Sequence, residues 1–169
     1  MSTLKVDAIT DAAGTGPVEL TQGFNNSAPI AFNSPISGYA TKTSNVQFDI
    51  VGYNTATFNL GGGWNNSTGI FTVPTGGAGI YSFTLASVTY AESGNLTIAR
   101  NLIKVNGTTD RMSGLITSAN VAHFLENSTI ILNLADGDTV QAAAIASTSS
   151  GTWGCDAGQN PFFCGVKLS

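Results

Sequence analysis

The sequence predicts an all-β fold, an antiparallel β-sandwich of the jelly-roll kind with about ten short strands, and three observations predict it. Apolar residues recur at every second position in short runs, and Gly, Asn or Pro bound each run. Composition favours pleated sheet: Gly numbers 20, charged residues make up only 9% of the chain, and the polar bulk is Asn, Thr and Ser. Two dipeptides that accept a positive φ, Asn106-Gly107 and Asp136-Gly137, each follow an apolar run, where a tight hairpin turn would sit. At 169 residues the chain has the length of one ordinary domain and can bury a core without metals or disulfides.

Everything before residue 44 is punctuated by Gly14, Gly16, Pro17, Gly23, Pro29, Pro35 and Gly38. Residues 1–43 therefore read as an extended attachment arm and residues 44–169 as the head domain. Within the arm Leu4 and Val6 alternate with polar residues, a turn follows at 11–16, and Val18 and Leu20 resume an extended pattern. Leu4, Val6, Ile9, Val18 and Leu20 are the side chains expected to dock the arm onto another subunit.

The head opens with a strand through Phe48, Val51 and Tyr53, and a Gly61 to Asn66 loop separates it from Ile70-Phe71-Thr72-Val73, which Pro74 stops. Strands are expected at 80–89, 96–105, 121–126, 129–134, 139–147 and 162–168. The run Ala142-Ala143-Ala144-Ile145-Ala146 competes as helix on propensity alone. It follows a tight turn and continues Val140-Gln141, so it reads as a strand crowded by a close neighbour. The expected core comprises Phe48, Val51, Tyr53, Phe71, Val73, Tyr81, Phe83, Leu96, Ile98, Leu132, Leu134, Val140, Phe162, Val166 and Leu168.

Several functions are disfavoured at this stage. Net charge is −4 and the six Lys and Arg residues are scattered, so no basic stripe offers itself to nucleic acid. No run is long and apolar enough for membrane insertion, and the N-terminus lacks a secretory pattern, so the chain is expected to remain soluble. No nucleophile elbow accompanies the single His, His123, so no catalytic residue is assigned and the chain is not read as an enzyme. Asp136 and Asp138 read as turn residues, because calcium wants six to eight oxygens, and neither a metal site nor a cofactor is assigned. Cys155 and Cys164 flank a turn-rich stretch and could face each other across a hairpin as a disulfide, or lie free and buried; both readings stand. Trp64 and Trp153 lie beside glycines and, with Asn65 and Asn66, form candidate recognition loops or interface contacts, packing being favoured over sugar stacking.

Certain phrases together carry a resemblance. Phe48-Asp49-Ile50-Val51-Gly52-Tyr53-Asn54 precedes Gly69-Ile70-Phe71-Thr72-Val73-Pro74 and Gly79-Ile80-Tyr81-Ser82-Phe83. Later come Leu134-Ala135-Asp136-Gly137-Asp138-Thr139-Val140 and a closing Phe162-Phe163-Cys164-Gly165-Val166-Lys167-Leu168. In this order they resemble the globular heads of the first complement component and its tumour necrosis factor relatives, over residues 44–169. The resemblance implies a ten-stranded jelly roll assembled as a homotrimer around a threefold axis. The collagen stalk and clustered acidic loops of the animal proteins are missing, which argues against their calcium dependence.

Leu4-Lys5-Val6-Asp7-Ala8-Ile9-Thr10-Asp11-Ala12-Ala13-Gly14 resembles the first residues of many tail-fibre and other virion proteins of bacterial viruses. The resulting expectation is a bacteriophage structural protein on the virion, a trimeric capsid-decorating (cement) protein whose arm holds the major capsid protein or another virion protein. The alternative is the receptor-binding tip of a tail fibre or tailspike that recognises a bacterial surface glycan.

Overall fold

The computed structural model describes residues 29–35, 42–43, 48–50, 56–113, 121–156 and 161–169. All regular structure among them is strand: β1 (Ala31–Pro35), β2 (Lys42–Thr43), β3 (Phe48–Asp49), β4 (Phe58–Leu60), β5 (Trp64–Asn65), β6 (Ile70–Thr72), β7 (Gly79–Val105), β8 (Thr108–Ser113), β9 (His123–Leu134), β10 (Thr139–Cys155) and β11 (Phe162–Lys167). Every pairing is antiparallel. The expected all-β jelly roll is what the chain forms.

Two layers share the longest strands. The front layer runs β4-β1-β11-β7-β9 and uses the first half of β7. The back layer has the second half of β7 between β8 and β10, with β6 and β3 along the far edge of β10 and β5 outside β6. β7 and β10 pass between layers together, and where they do so the register slips between Ser147 and Trp153. Gly94 and Gly151 make that bend possible with φ of 72° each, in a region that L side chains rarely enter.

Aromatic rings fill one end of the space between layers. Phe32 of β1 stacks on Trp64 of β5 with centroids 4.4 Å apart and on Phe71 of β6 at 5.2 Å. Tyr81, Phe83 and Phe163 complete the cluster. Toward the other end small side chains take over: Ala99, Ala142, Ala144 and Ala146 are fully buried. The alanine run is thus strand, as expected; Ala142, Ala144 and Ala146 belong to the core between the layers, while Ala143, also buried, faces the other way beside Leu102. A polar bridge joins the layers there, Ser87 Oγ donating to Asn101 Oδ1 while the Asn101 backbone N–H donates to Glu126 at 3.1 Å.

Four expectations need correction. The front layer does not wait for residue 44, because Ala31–Pro35 lies inside the segment read as arm yet pairs with β11 along its whole length. The expected strands 80–89 and 96–105 are one strand, as are 121–126 and 129–134. Asp136-Gly137 has the positive φ expected of it, 83° at Gly137, but makes no hairpin, since its flanking strands β9 and β10 pair with different halves of β7. Finally, β11 is turned over. Phe163 and Gly165 face the core, whereas Phe162 is half-buried and Val166 and Leu168 are exposed.

The cause of that last error lies at Gly165. A Cβ built there would stand 2.6 Å from Phe83 and 2.7 Å from Phe32, so only glycine fits beneath the rings. The inward parity of β11 therefore looks less apolar in sequence than the outward one. Of the other expected core residues, Phe71, Val73, Tyr81, Phe83, Leu96, Leu134 and Val140 are buried, and Ile98 and Leu132 are half-buried. Val51 and Tyr53 lie outside the described residues, as does the Phe48 side chain.

Asn106-Gly107, by contrast, is the tight β7–β8 hairpin turn expected, with φ of 50° and 77°. The Asn106 side chain also reaches the neighbouring connection, accepting from Thr139 N–H at 2.9 Å and donating to Asp138 at 2.9 Å.

Candidate functional site

Cross-strand register fixes which side chains share the outer face of the front layer. Leu60, Ala31, Val166, Ser82 and Ile131 form one row across β4, β1, β11, β7 and β9. Phe58, Asn33, Cys164, Thr84 and Thr129 form the next, and Phe162, Ala86 and Asn127 the one after. Leu168 continues β11 beside Ile80, to whose carbonyl its N–H donates at 2.7 Å. These rows hold no Asp, Glu, Lys or Arg among the described residues; the nearest acid along β7 is the exposed Glu92, whose Oε1 accepts from the Tyr90 hydroxyl at 3.3 Å.

The large hydrophobic residues exposed among those described are Phe58, Leu60, Leu125, Ile131, Val166 and Leu168, and all of them lie on this face. Ile131 is 64% exposed and Leu168 55%. Leu125 stands apart from the rest, separated from Ile131 along β9 by Asn127 and Thr129. A contiguous apolar patch on one side of a soluble domain marks a surface that something covers. Its polar members are satisfied internally, Thr84 and Thr129 sharing a hydrogen bond of 2.9 Å between hydroxyls.

Other residues singled out in the sequence fall elsewhere. Trp64 and Trp153 are buried, at 6% and 0% exposure, so neither indole is presented to a sugar. Both are buried inside the subunit itself rather than offered to an interface. Trp64 Nε1 donates to Asn66 Oδ1 at 3.0 Å, and Asn65 Oδ1 accepts from the N–H of Ser67 at 2.9 Å, so both amides build the loop. Leu4, Val6, Ile9, Val18 and Leu20 lie outside the described residues.

Cys155 and Cys164 are free, which removes the disulfide. They do not face across a hairpin: Cys155 pairs with Thr89 and Cys164 with Thr84, on the same edge of β7. Cys155 points inward and Cys164 outward. Burial pushes the Cys155 thiol up to about 12, partly offset by its hydrogen bond to Thr89, and burial also raises Cys164.

Asp136 and Asp138 spend their oxygens on hydrogen bonds within the chain. Asp136 accepts from Gly76 and Ala78 N–H, each at 2.7 Å, and those bonds hold its carboxyl below the usual value. Asp138 accepts from Asn106 and from Ala135 N–H at 2.8 Å, with the same consequence. Among the described residues no group of three His, Cys, Asp or Glu side chains could hold a metal ion. His123 begins β9, exposed, its ring stacked on Tyr90 with centroids 5.9 Å apart.

Phe58, Leu60 and Ile131 were not singled out from the sequence. A signal existed for β9, where Ile130-Ile131-Leu132 places apolar residues on both faces of one strand, the pattern of a sheet covered on two sides.

A family model described as the C1q domain matches residues 25–166. The chain belongs to the C1q-domain family. The match begins upstream of the boundary expected at residue 44 and takes in β1, in accord with its pairing. Among solved structures this C1q domain is similar to the globular domain of zebrafish complement 1qA protein, with TM-score 0.55 and 14% identity over 83% of this chain and 98% of that one. It is similar also to murine APRIL at pH 8.5 (TM-score 0.60, 12% identity, 83% and 99% covered). Eiger TNF from S. frugiperda gives TM-score 0.59 at 12% identity, with 84% and 94% covered. Identities this low speak for the fold alone. A comparison with curated protein sequences finds no match. C1q and tumour necrosis factor-like domains often form trimers, and they typically bind ligands or build structures rather than catalyse reactions.

Proposed function

We propose that this C1q domain is a structural module that associates with copies of itself as a homotrimer through the outer face of the front layer, and that the trimer decorates a bacteriophage capsid. The observation that carries self-association is the apolar, charge-free character of the rows through Val166, Cys164 and Phe162 on that face. Along β11 the outward residues Phe162, Cys164, Val166 and Leu168 are all apolar, as core residues are, yet the subunit leaves two of them exposed. They are the core of an assembly. Covering them with the same face or edge of another copy removes apolar surface from water at about 25 cal/mol per Å².

The viral setting rests on sequence. The Leu4 to Gly14 phrase resembles virion proteins of bacterial viruses, and a trimer carrying three such arms would add contacts between major capsid protein subunits that only the assembled shell offers. Location on the virion follows from that reading. The second reading, a fibre tip that recognises a bacterial surface glycan, is favoured by a recess on the same layer, described below.

Sedimentation of the purified chain tests the first step, with threefold stoichiometry expected and a single chain at all concentrations overturning it. Cryo-electron microscopy of particles carrying the protein tests the second. Threefold knobs spread over the shell are the expected outcome, and the same trimer confined to a tail appendage would favour the fibre tip.

A further inference from the structure

Along β9 the outer face changes character. Leu125 stands six positions from Ile131, about 20 Å away at the usual strand rise. It is 68% exposed, and its cross-strand neighbour Val88 is only 3% exposed. Between them opens a recess of about 400 Å³ that Val88, His123, Leu125 and Asp156 line among the described residues. Asp156 is held there by the sheet, since its N–H donates to the Val88 carbonyl at 2.8 Å. His123 faces Tyr90 in the β7–β9 register, and the two rings stack at 24°.

The size lies within the range of small-molecule sites. The lining combines an apolar floor and rim with one carboxylate, which accepts hydrogen bonds, and one imidazole, which accepts and donates. That combination suits a ring with an apolar C–H face and hydroxyls around its edge. A carboxylate takes hydrogen-bond donors, so hydroxyls rather than an acceptor-only anionic group match Asp156. A metal ion would find too few ligands among the described residues.

We propose that this recess binds a neutral saccharide of one or two pyranose units, with its C–H face on Val88 and Leu125 and its hydroxyls on Asp156 and His123. The inference deepens the glycan-recognition reading and does not need the capsid; it requires that self-association through the rows of Val166 and Ile131 leave the Leu125 end of the face open.

The single His in the chain supplies the test, since its imidazole protons give one assignable set of NMR signals. The intact protein is titrated with glucose, galactose, N-acetylglucosamine and lactose at millimolar concentrations, with sialic acid as an anionic control. The expected result is a saturable shift of the His123 signals with at least one neutral sugar. Asp156→Ala and, separately, the exposed change Leu125→Ser are expected to weaken binding roughly tenfold while leaving the thermal transition in place. Absence of a shift with every neutral sugar overturns the proposal. So does a shift that both variants retain, which would place the sugar elsewhere. A third overturning result is a His123 signal that changes only with protein concentration, which would make the recess a contact between copies. Sedimentation of the same samples reads self-association independently, so failure of the sugar site and failure of the trimer are distinguishable.

Discussion

The two outer faces of the sandwich obey the same alternation and cover the same core, yet they carry opposite chemistry. On the back layer Lys104 reaches Asp49 at 2.8 Å and Gln141 reaches the Thr68 carbonyl at 3.4 Å, while the outward Leu102 and Ala143 are already covered within the subunit, at 2% and 0% exposure. On the front layer the corresponding positions are Phe58, Leu60, Val166, Ile131 and Leu168, with hydroxyls and amides between them. Folding of one subunit explains the inward residues of both layers and the outward residues of the back. It does not explain the exposed apolar residues of the front, and that difference is what the self-association proposal accounts for.

The sharpest way to break that comparison is to charge the front face. Val166→Lys combined with Ile131→Lys is expected to leave a folded single chain by sedimentation, with association weakened on the order of a thousandfold or more, given about 1.5–3 kcal/mol for each buried aliphatic side chain. The same change at Ile145, half-buried on the back layer, should leave the assembly intact; equal effects at both places would dissolve the distinction. Next in size is the inner side of the front layer. Phe32→Ala opens a cavity among four rings and is expected to lower stability by about 3–5 kcal/mol in urea titration. Gly165→Ala drives a methyl into Phe83 and Phe32 and should cost about 1–3 kcal/mol.

Smaller effects sharpen it further. Because its backbone hydrogen bonds favour the ionised form, Asp136 contributes stability that is present above its ordinary value of 3.8 and lost as pH falls through its lower value in the folded chain. Asp136→Asn should flatten that acid slope in urea midpoints measured across the same window. On the back layer Lys104→Ala should change stability by less than about 1 kcal/mol and association not at all.

How legible the fold was follows from where local and long-range constraints agree. Jelly-roll class, the Asn106-Gly107 hairpin and the buried parity of β7 were readable, because turn chemistry and period-two alternation act within a few residues. The Asp136-Gly137 connection was misread, since its backbone conformation is local but the partner of each flanking strand is not. β1 was hidden by the prolines around it, Pro29 and Pro35, which an edge-proximal strand end tolerates. Most instructive is β11, whose more regularly apolar parity pointed to solvent. Alternation reports which faces are covered and does not say whether by the same chain. The candidate face was therefore present in the sequence, filed under the wrong core, whereas the recess joins Val88, His123, Leu125 and Asp156 through register that no local pattern reveals.

The pairing of Ala31–Pro35 with Phe162–Lys167 also has a consequence for biosynthesis. β11 fills the gap between β1 and β7, so the front layer stays split until nearly the last of these residues has left the ribosome. Long-range closure of this kind is late by nature. Two rows of the apolar outer face, those through Cys164 and Val166, cannot form before β11 has been synthesised and has docked. A chain that has not yet reached β11 therefore lacks that part of the face, and its β1 edge stays unpaired on the β11 side.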